Sequence, residues 1–555
     1  MKLLSLAFSL ALFIAPLQVL SQVVGPIENR NNPISQNSVS TIVAYGDTVW
    51  VSPSLNRNIG NSFNWFVPDN ADSVIGGKGR VFSYAVGQDT VIAGIGFSAE
   101  SPDGSVPAGY GFYISTDGGE NWQFSDFPLD EQPPDKCRST SEDYVQPTGI
   151  EDYDPDCDIE FTYGSETYTR IRTTVVEQSP PYNTSYKGNV IFAAAWGSGL
   201  LRSTDLGESW ERVILPPSSI SELNPENTYS WRSVFGFLNE VENDTDTTII
   251  NRYDPRQDDN LLGFGTLIDS QNRIWFGSAG GINVSGNALT APIDSISWNH
   301  IRYEGSTSGL LGNWIIAIKE EPKTDRIWMT NWIATSPQDQ GIVYTEDGGE
   351  TFTQMLIGER INDIGFKDGY VFATGNNGLF ISINGGGTWI KSPQIKSPNT
   401  FIKSSAIYLT ADATTNRIWI GTTDGIISHE CCSPNQQFNN WEITRVDYPL
   451  SGGNVHNPEG RAAASYAYPN PFSASVYEVV RIKFEVEEQS DVNIRIFDFG
   501  MNLVREIEND FYSAGTYEAV WDGYDDKNRK VANGPYFYVI EMGKEKESGK
   551  ILVVD

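Results

Sequence analysis

The chain of 555 residues carries a formal charge of −33, with 52 glycines, 29 prolines and 12% aromatic residues. So negative a field argues against nucleic acid and anionic membrane surfaces as partners. The glycine, proline and aromatic content suits an all-β chain of many short strands and tight turns.

Lys2 precedes an apolar run from Leu3 to Leu20 that only small polar residues, Pro16 and Gln18 interrupt, and Val19 and Ser21 supply the small residues of a cleavage site. Residues 1–21 therefore read as a signal peptide, with export as the expectation. No later stretch approaches about 18 consecutive apolar residues, so no transmembrane segment is expected.

Beyond it the chain writes one pattern four times: Ser115-Thr-Asp-Gly-Gly-Glu-Asn-Trp122, Ser203-Thr-Asp-Leu-Gly-Glu-Ser-Trp210, Thr345-Glu-Asp-Gly-Gly-Glu-Thr-Phe352 and Ser382-Ile-Asn-Gly-Gly-Gly-Thr-Trp389. An Asp or Asn ahead of glycines bonds its own backbone while Gly takes the positive-φ position, which closes a tight turn. A large aromatic then starts the next strand. This pattern is the Asp box, and the chain resembles the families that carry it: sialidases, xyloglucanase-like glycoside hydrolases, sortilin-type receptors and photosystem-assembly-factor-like propellers. The resemblance implies that Asp117, Asp205, Asp347 and Asn384 are structural turns on the side opposite the ligand face.

Degenerate copies of the frame run from Gln271-Asn-Arg-Ile-Trp to Trp298, from Thr415-Asn-Arg-Ile-Trp to Trp441, and from Thr41-Ile-Val-Ala-Tyr to Trp65. Each copy ends on one aromatic: Trp65, Trp122, Trp210, Trp298, Phe352, Trp389 and Trp441. Period-2 alternation, as in Val371-Phe-Ala-Thr, and bounding Gly, Asn and Asp clusters mark the strands. The expected architecture is a seven-bladed β-propeller over residues 22–450.

The spacing is uneven, with the excess after Trp122 and Trp210. These insertions, roughly 130–167 and 217–259, are expected to rise from neighbouring blades on the ligand face, where long loops on a rigid scaffold concentrate binding residues. Within the first, Cys137 and Cys157 form the natural disulfide of an exported chain. Asp152, Asp154, Asp156 and Asp158 alternate as carboxylates that calcium could take, although Cys157 and Tyr163 occupy the places where an EF-hand needs Gly and Glu. A solvated acidic loop is the alternative, and no other cofactor is expected. Three histidines give no zinc set. Cys431 and Cys432 are adjacent, with a vicinal disulfide, reduced thiols or outside partners all open.

Trp196 and Trp332 sit at turns that share the ligand face, and Trp231 with Arg232 lies in the second insertion. These four are the candidate ligand contacts, for a glycan, peptide or protein partner. The arginine-isoleucine-proline signature usual in sialidases is absent: Arg170-Ile, Arg273-Ile and Arg417-Ile run on to Arg172, Trp275 and Trp419. A non-catalytic binding propeller is therefore the leading expectation, with a divergent Asp-box glycoside hydrolase as the alternative.

After Trp441, residues 451–465 read as a linker and 466–555 as a small Ig-like β-sandwich with Trp521 in its core. Tyr468-Pro-Asn-Pro-Phe472, Val492-Asn-Ile-Arg-Ile-Phe-Asp498, Trp521-Asp-Gly-Tyr-Asp-Asp526 and Asn533-Gly-Pro-Tyr-Phe-Tyr538 are similar to FlgD-like Ig domains and to type A sorting domains of the type IX secretion system. That resemblance implies delivery to the outer-membrane surface or beyond it, with secretion machinery as a partner. Asp555 departs from the basic terminal residue common there.

Overall fold

The computed structural model describes residues 34, 36–60, 65–66, 79–101, 104–144, 146–239, 244–397, 400–433, 437–439, 441–446 and 465–555. The signal peptide expected at 1–21 and the linker up to residue 464 lie outside the described residues.

Among the described residues, seven antiparallel sheets follow one another along the chain, each running in simple up-and-down order. They span residues 42–66 (sheet 1), 80–126 (sheet 2), 181–212 (sheet 3), 263–301 (sheet 4), 314–355 (sheet 5), 361–391 (sheet 6) and 408–444 (sheet 7). Their first strands adjoin in succession, and the first strand of sheet 7 returns to that of sheet 1. These strands thus surround a common axis, as in a β-propeller. Side chains lace neighbours together: Ser83 Oγ donates to Pro181 O at 2.8 Å, Thr266 N to Asn183 Oδ1 at 3.2 Å, and Ala44 N to Asp412 Oδ2 at 2.8 Å.

The seven expected aromatics open or precede the outermost strands, and each packs on the preceding sheet. Trp122 meets Trp50 edge-on at 5.8 Å, Trp65 meets Trp419 at 5.8 Å, and Trp210 stacks on Phe112 at 4.3 Å. Trp298, Phe352, Trp389 and Trp441 join clusters with Phe192, Trp275, Trp328 and Phe372 in the same way. The expected alternation fails in the second strands: Ile327–Trp332, Tyr370–Gly375 and Arg417–Thr422 are buried at every position. The reason is that each sheet is covered on both faces by its neighbours, so its middle strands need apolar side chains on both.

The C-terminal unit is a sandwich of a three-stranded and a four-stranded antiparallel sheet. Alternate residues Val492, Ile494 and Ile496 of the strand Ser490–Phe497 enter its core with Trp521. It docks on sheet 7 through a buried square of charges. Arg445 of the propeller and Arg481 of the sandwich both reach Asp424 Oδ2, at 3.0 and 2.8 Å, and Arg445 also reaches Glu518 Oε2 at 3.1 Å. Both guanidiniums donate to Phe401 O, at 2.6 and 3.1 Å, and Tyr468 Oη donates to Glu518. Asp424 lies in the turn between the second and third strands of sheet 7, so the sandwich rests on the face opposite the box turns.

Candidate ligand face

The boxes build themselves. Ser115 Oγ donates to Asp117 Oδ1 at 2.7 Å and accepts from Gly119 N at 2.8 Å, while Asp117 Oδ1 accepts from Asn121 N at 2.9 Å. Asp205, Asp347 and Asn384 repeat the arrangement. Backbone and side-chain bonds from Asn121, with help from Ser115, hold the Asp117 carboxyl well below the usual range. A cleft of about 530 Å³ lies between the boxes of sheets 2 and 3, but its two box carboxylates, Asp117 and Asp205, already serve the turns. Sequence reading missed one box: Ser285 Oγ and Asn287 Oδ1 lie 3.0 Å apart, and Ala288 N donates to Ser285 Oγ. Its glycines are lost and its loop is longer, which hid it.

At the opposite end, the first strands share a device that no sequence signal showed. Six of the seven carry a β-bulge near their start, at Phe82, Tyr182, Phe264, Ile316-Ala317, Asn362 and Leu409. A bulge re-aims its extra residue, and here successive bulges meet around the axis. Phe82 lies 6.0 Å from Tyr182, Tyr182 lies 6.2 Å from Phe264, and Asn362 Nδ2 donates to Tyr408 O at 2.8 Å. The arc continues through Trp196, 5.0 Å from Phe264 and 5.8 Å from Trp314. Arg80 covers Phe82 at 4.8 Å and Arg360 covers Trp332 at 3.8 Å. Burial lowers both guanidiniums, Arg360 to about 10, and Arg80 against an opposing influence of Tyr182.

The four sequence candidates therefore separate. Trp196 is half-buried in this arc, at the turn expected for it. Trp332 stands beside it but is 7% exposed, donating its indole N–H to Ile361 O at 2.6 Å. Trp231 is 1% exposed, and its indole N–H donates to Leu215 O at 3.1 Å. It anchors a core and has no surface for a ligand. Arg232 is exposed at the base of the hairpin Arg232–Asn239/Asp244–Asn251, away from the arc.

Deeper along the axis lie Lys319, Asp363 and Asp412. Asp363 Oδ2 accepts from Lys319 Nζ at 2.9 Å, Thr410 Oγ1 at 2.9 Å and Ala411 N at 3.0 Å. Asp412 accepts from Ala44 N and Ala413 N, both at 2.8 Å. Burial raises the Asp412 carboxyl against the pull of Lys319 and these bonds, and the charge of Asp363 adds to the rise.

The insertions meet each other. Tyr253 N donates to Thr169 O at 2.9 Å and Ile171 N to Tyr253 O at 3.0 Å, with Tyr168 and Phe161 against Trp231. From there they run along the rim. Glu222–Leu223 adds a fifth strand outside Trp298–Ile301, and Gly164 N, at the tip of the hairpin Ile159–Tyr163/Glu166–Arg170, reaches Asp294 O on the box side of sheet 4 at 2.9 Å. An outermost strand leaves an unpaired edge, and the insertions cover it.

Cys137 and Cys157 are bonded, as are Cys431 and Cys432. The four alternating aspartates turn apart. Asp154 and Asp156 pair with Lys136, Asp152 accepts from Thr148 N at 2.7 Å, and buried Asp158 accepts from Tyr153 Oη at 2.5 Å near Arg252. Among the described residues no three His, Cys, Asp or Glu side chains gather as a metal-binding group.

Among the described residues no helix is long and apolar enough to cross a membrane. No curated protein matches the chain. Solved structures similar to it include PorZ, described as an essential bacterial surface component of the type-IX secretion system of Porphyromonas gingivalis (11% identity, 95% of this chain and 88% of that one, TM-score 0.25). Others are a GH74 enzyme of Niastella koreensis (11%, 93% and 73%, TM-score 0.43) and YCF48 bound to D1 peptide (14%, 74% and 98%, TM-score 0.36). At these values they say nothing about activity. Residues 113–124 match the family model of the BNR/Asp-box repeat, and residues 474–546 match that of the FlgD Ig-like domain.

Proposed function

We propose that the protein is an exported bacterial propeller that binds a glycan, peptide or protein at the mouth of its axis without performing chemistry on it. The bulged first strands carry this reading. They give up regular pairing to bring Phe82, Tyr182 and Asn362 to one end of the axis, beside Trp196 and Arg80, with buried Phe264 packed behind them. Aromatic faces and an arginine suit stacking on sugar rings or anchoring side chains. The sorting-domain motifs support delivery to the cell surface or the medium, with the C-terminal unit engaging secretion machinery.

The test is a glycan and peptide array probed with the full chain and with a Phe82→Ala/Tyr182→Ala variant. A ligand lost by the variant at unchanged melting temperature supports the reading; undiminished binding to every ligand contradicts it. For export, deleting 466–555 is expected to strand the chain in the periplasm, and normal surface delivery would refute that role.

One observation favours hydrolysis instead. Asp412 is a carboxyl with a raised pKa beside a second carboxylate, which is how an acid and base pair can look. Chromogenic glycosides turned over by the wild type but not by Asp412→Asn would establish this second reading.

A further inference from the structure

On the rim, the hairpin Ile159–Tyr163/Glu166–Arg170 lies over the outer strand of sheet 3 and encloses a cavity of about 330 Å³. That volume is at the lower end of small-molecule pockets, about 300–1,000 Å³. Its walls are mainly apolar, with Phe161, Ile171, Val213 and Tyr253 among them, and two guanidiniums, Arg170 and Arg212, stand at the base of the hairpin. The cavity's lining includes none of the bulged residues and none of the cleft between the boxes of sheets 2 and 3.

The charges within it are unevenly matched. Arg170 grips Asp130 with both terminal nitrogens, at 2.6 and 2.8 Å. Arg212 is held by backbone carbonyls, donating to Pro128 O at 2.8 Å and Ser198 O at 3.4 Å, and approaches Asp130 only through Nε at 3.8 Å. One carboxylate thus serves two cations. Burial lowers Arg212 to about 10, more than Asp130 restores, and the neighbouring Arg170 adds to the fall. The acids of the lining lie elsewhere: Glu211 is paired with Arg202 at 2.9 Å, Glu160 is exposed, and Asp294 stands at the far tip of the hairpin. A second anion placed at Arg212 would complete the pairing, with an apolar body running away from it.

We propose that this cavity binds a small amphipathic carboxylate, its head on Arg212 and Arg170 and its aliphatic or aryl body against Phe161, Ile171, Val213 and Tyr253. The guanidinium N–H groups that Asp130 and the backbone carbonyls leave over can donate charge-assisted hydrogen bonds to a carboxylate.

The experiment is isothermal titration of the full chain with decanoate and 4-phenylbutyrate, beside their primary amides as uncharged counterparts. Saturable binding of the acids is expected, with the amides weaker by at least about tenfold, a charged hydrogen bond or more. Arg212→Gln should cost the same factor and Arg212→Lys less. Ile171→Trp, which fills the cavity from a half-buried position, should abolish binding while the melting temperature holds. Equal affinity for acid and amide, no saturation by about 5 mM, or full binding in Ile171→Trp would each overturn the proposal. The comparison of head groups needs no variant, so a failure of Arg212→Gln to fold leaves the test intact.

Discussion

The carboxylate of Asp347 accepts from Thr351 Oγ1 at 2.6 Å and Thr351 N at 2.9 Å, and these bonds, the side-chain one foremost, hold it down to about 2. A carboxyl depressed in the fold stabilises it above the ordinary value near about 4 and stops doing so as pH falls toward about 2. Acid unfolding of Asp347→Asn should therefore lose this dependence between those limits. At neutral pH Asp347→Asn should be mild, because Asn384 holds the same turn with its Oδ1, accepting from Thr388 N at 2.9 Å. Asp347→Ala removes the acceptor and should cost about 1–2 kcal/mol, as loss of a capping side chain does; urea titration separates the two. Equal losses for Asn and Ala would show that the turn does not depend on the acceptor. The boxes were legible at this scale because residue type and turn geometry are the same fact. The mouth was not, since Phe82, Tyr182 and Phe264 look in sequence like any strand residue, and only a register shift sets them apart.

Elements explain why Trp231 was misread. An aromatic in a long insertion suggests an exposed contact, yet these insertions have sheet edges to cover, and Trp231 packs with Tyr168 at 5.1 Å and Tyr253 at 5.6 Å to join them to each other. Trp231→Ala should cost about 3–5 kcal/mol, the price of a fully buried large aromatic. The loss should appear first as protease cleavage within 138–156 and 232–251, before the sheets unfold. Cleavage no faster than in the wild type would mean that the insertions are held by something else. The same reasoning accounts for the second strands: burial on both faces comes from neighbouring sheets, which local alternation cannot reveal. Aromatics at irregular spacing could mark sheets among the described residues because each is the contact that locks a sheet to the one before it.

For the whole molecule, the charge square holds the C-terminal sandwich on the face opposite the box turns. Arg481 is 3% exposed, so Arg481→Met leaves Asp424 and Glu518 short of a buried partner and should weaken docking by about 3–5 kcal/mol. Proteolysis between 447 and 464 should quicken while the sandwich, purified after cleavage, keeps its own cooperative unfolding. An unchanged cleavage rate would place the docking energy elsewhere. The central claim, that the axis mouth opposite the boxes binds the ligand, is tested most directly by hydrogen–deuterium exchange of the full chain with and without the ligand drawn from the array. Protection concentrated at 80–84, 181–184, 263–266 and 361–364 is predicted. Protection confined to the box turns at 115–122 and 203–210, with the mouth unchanged, would contradict it.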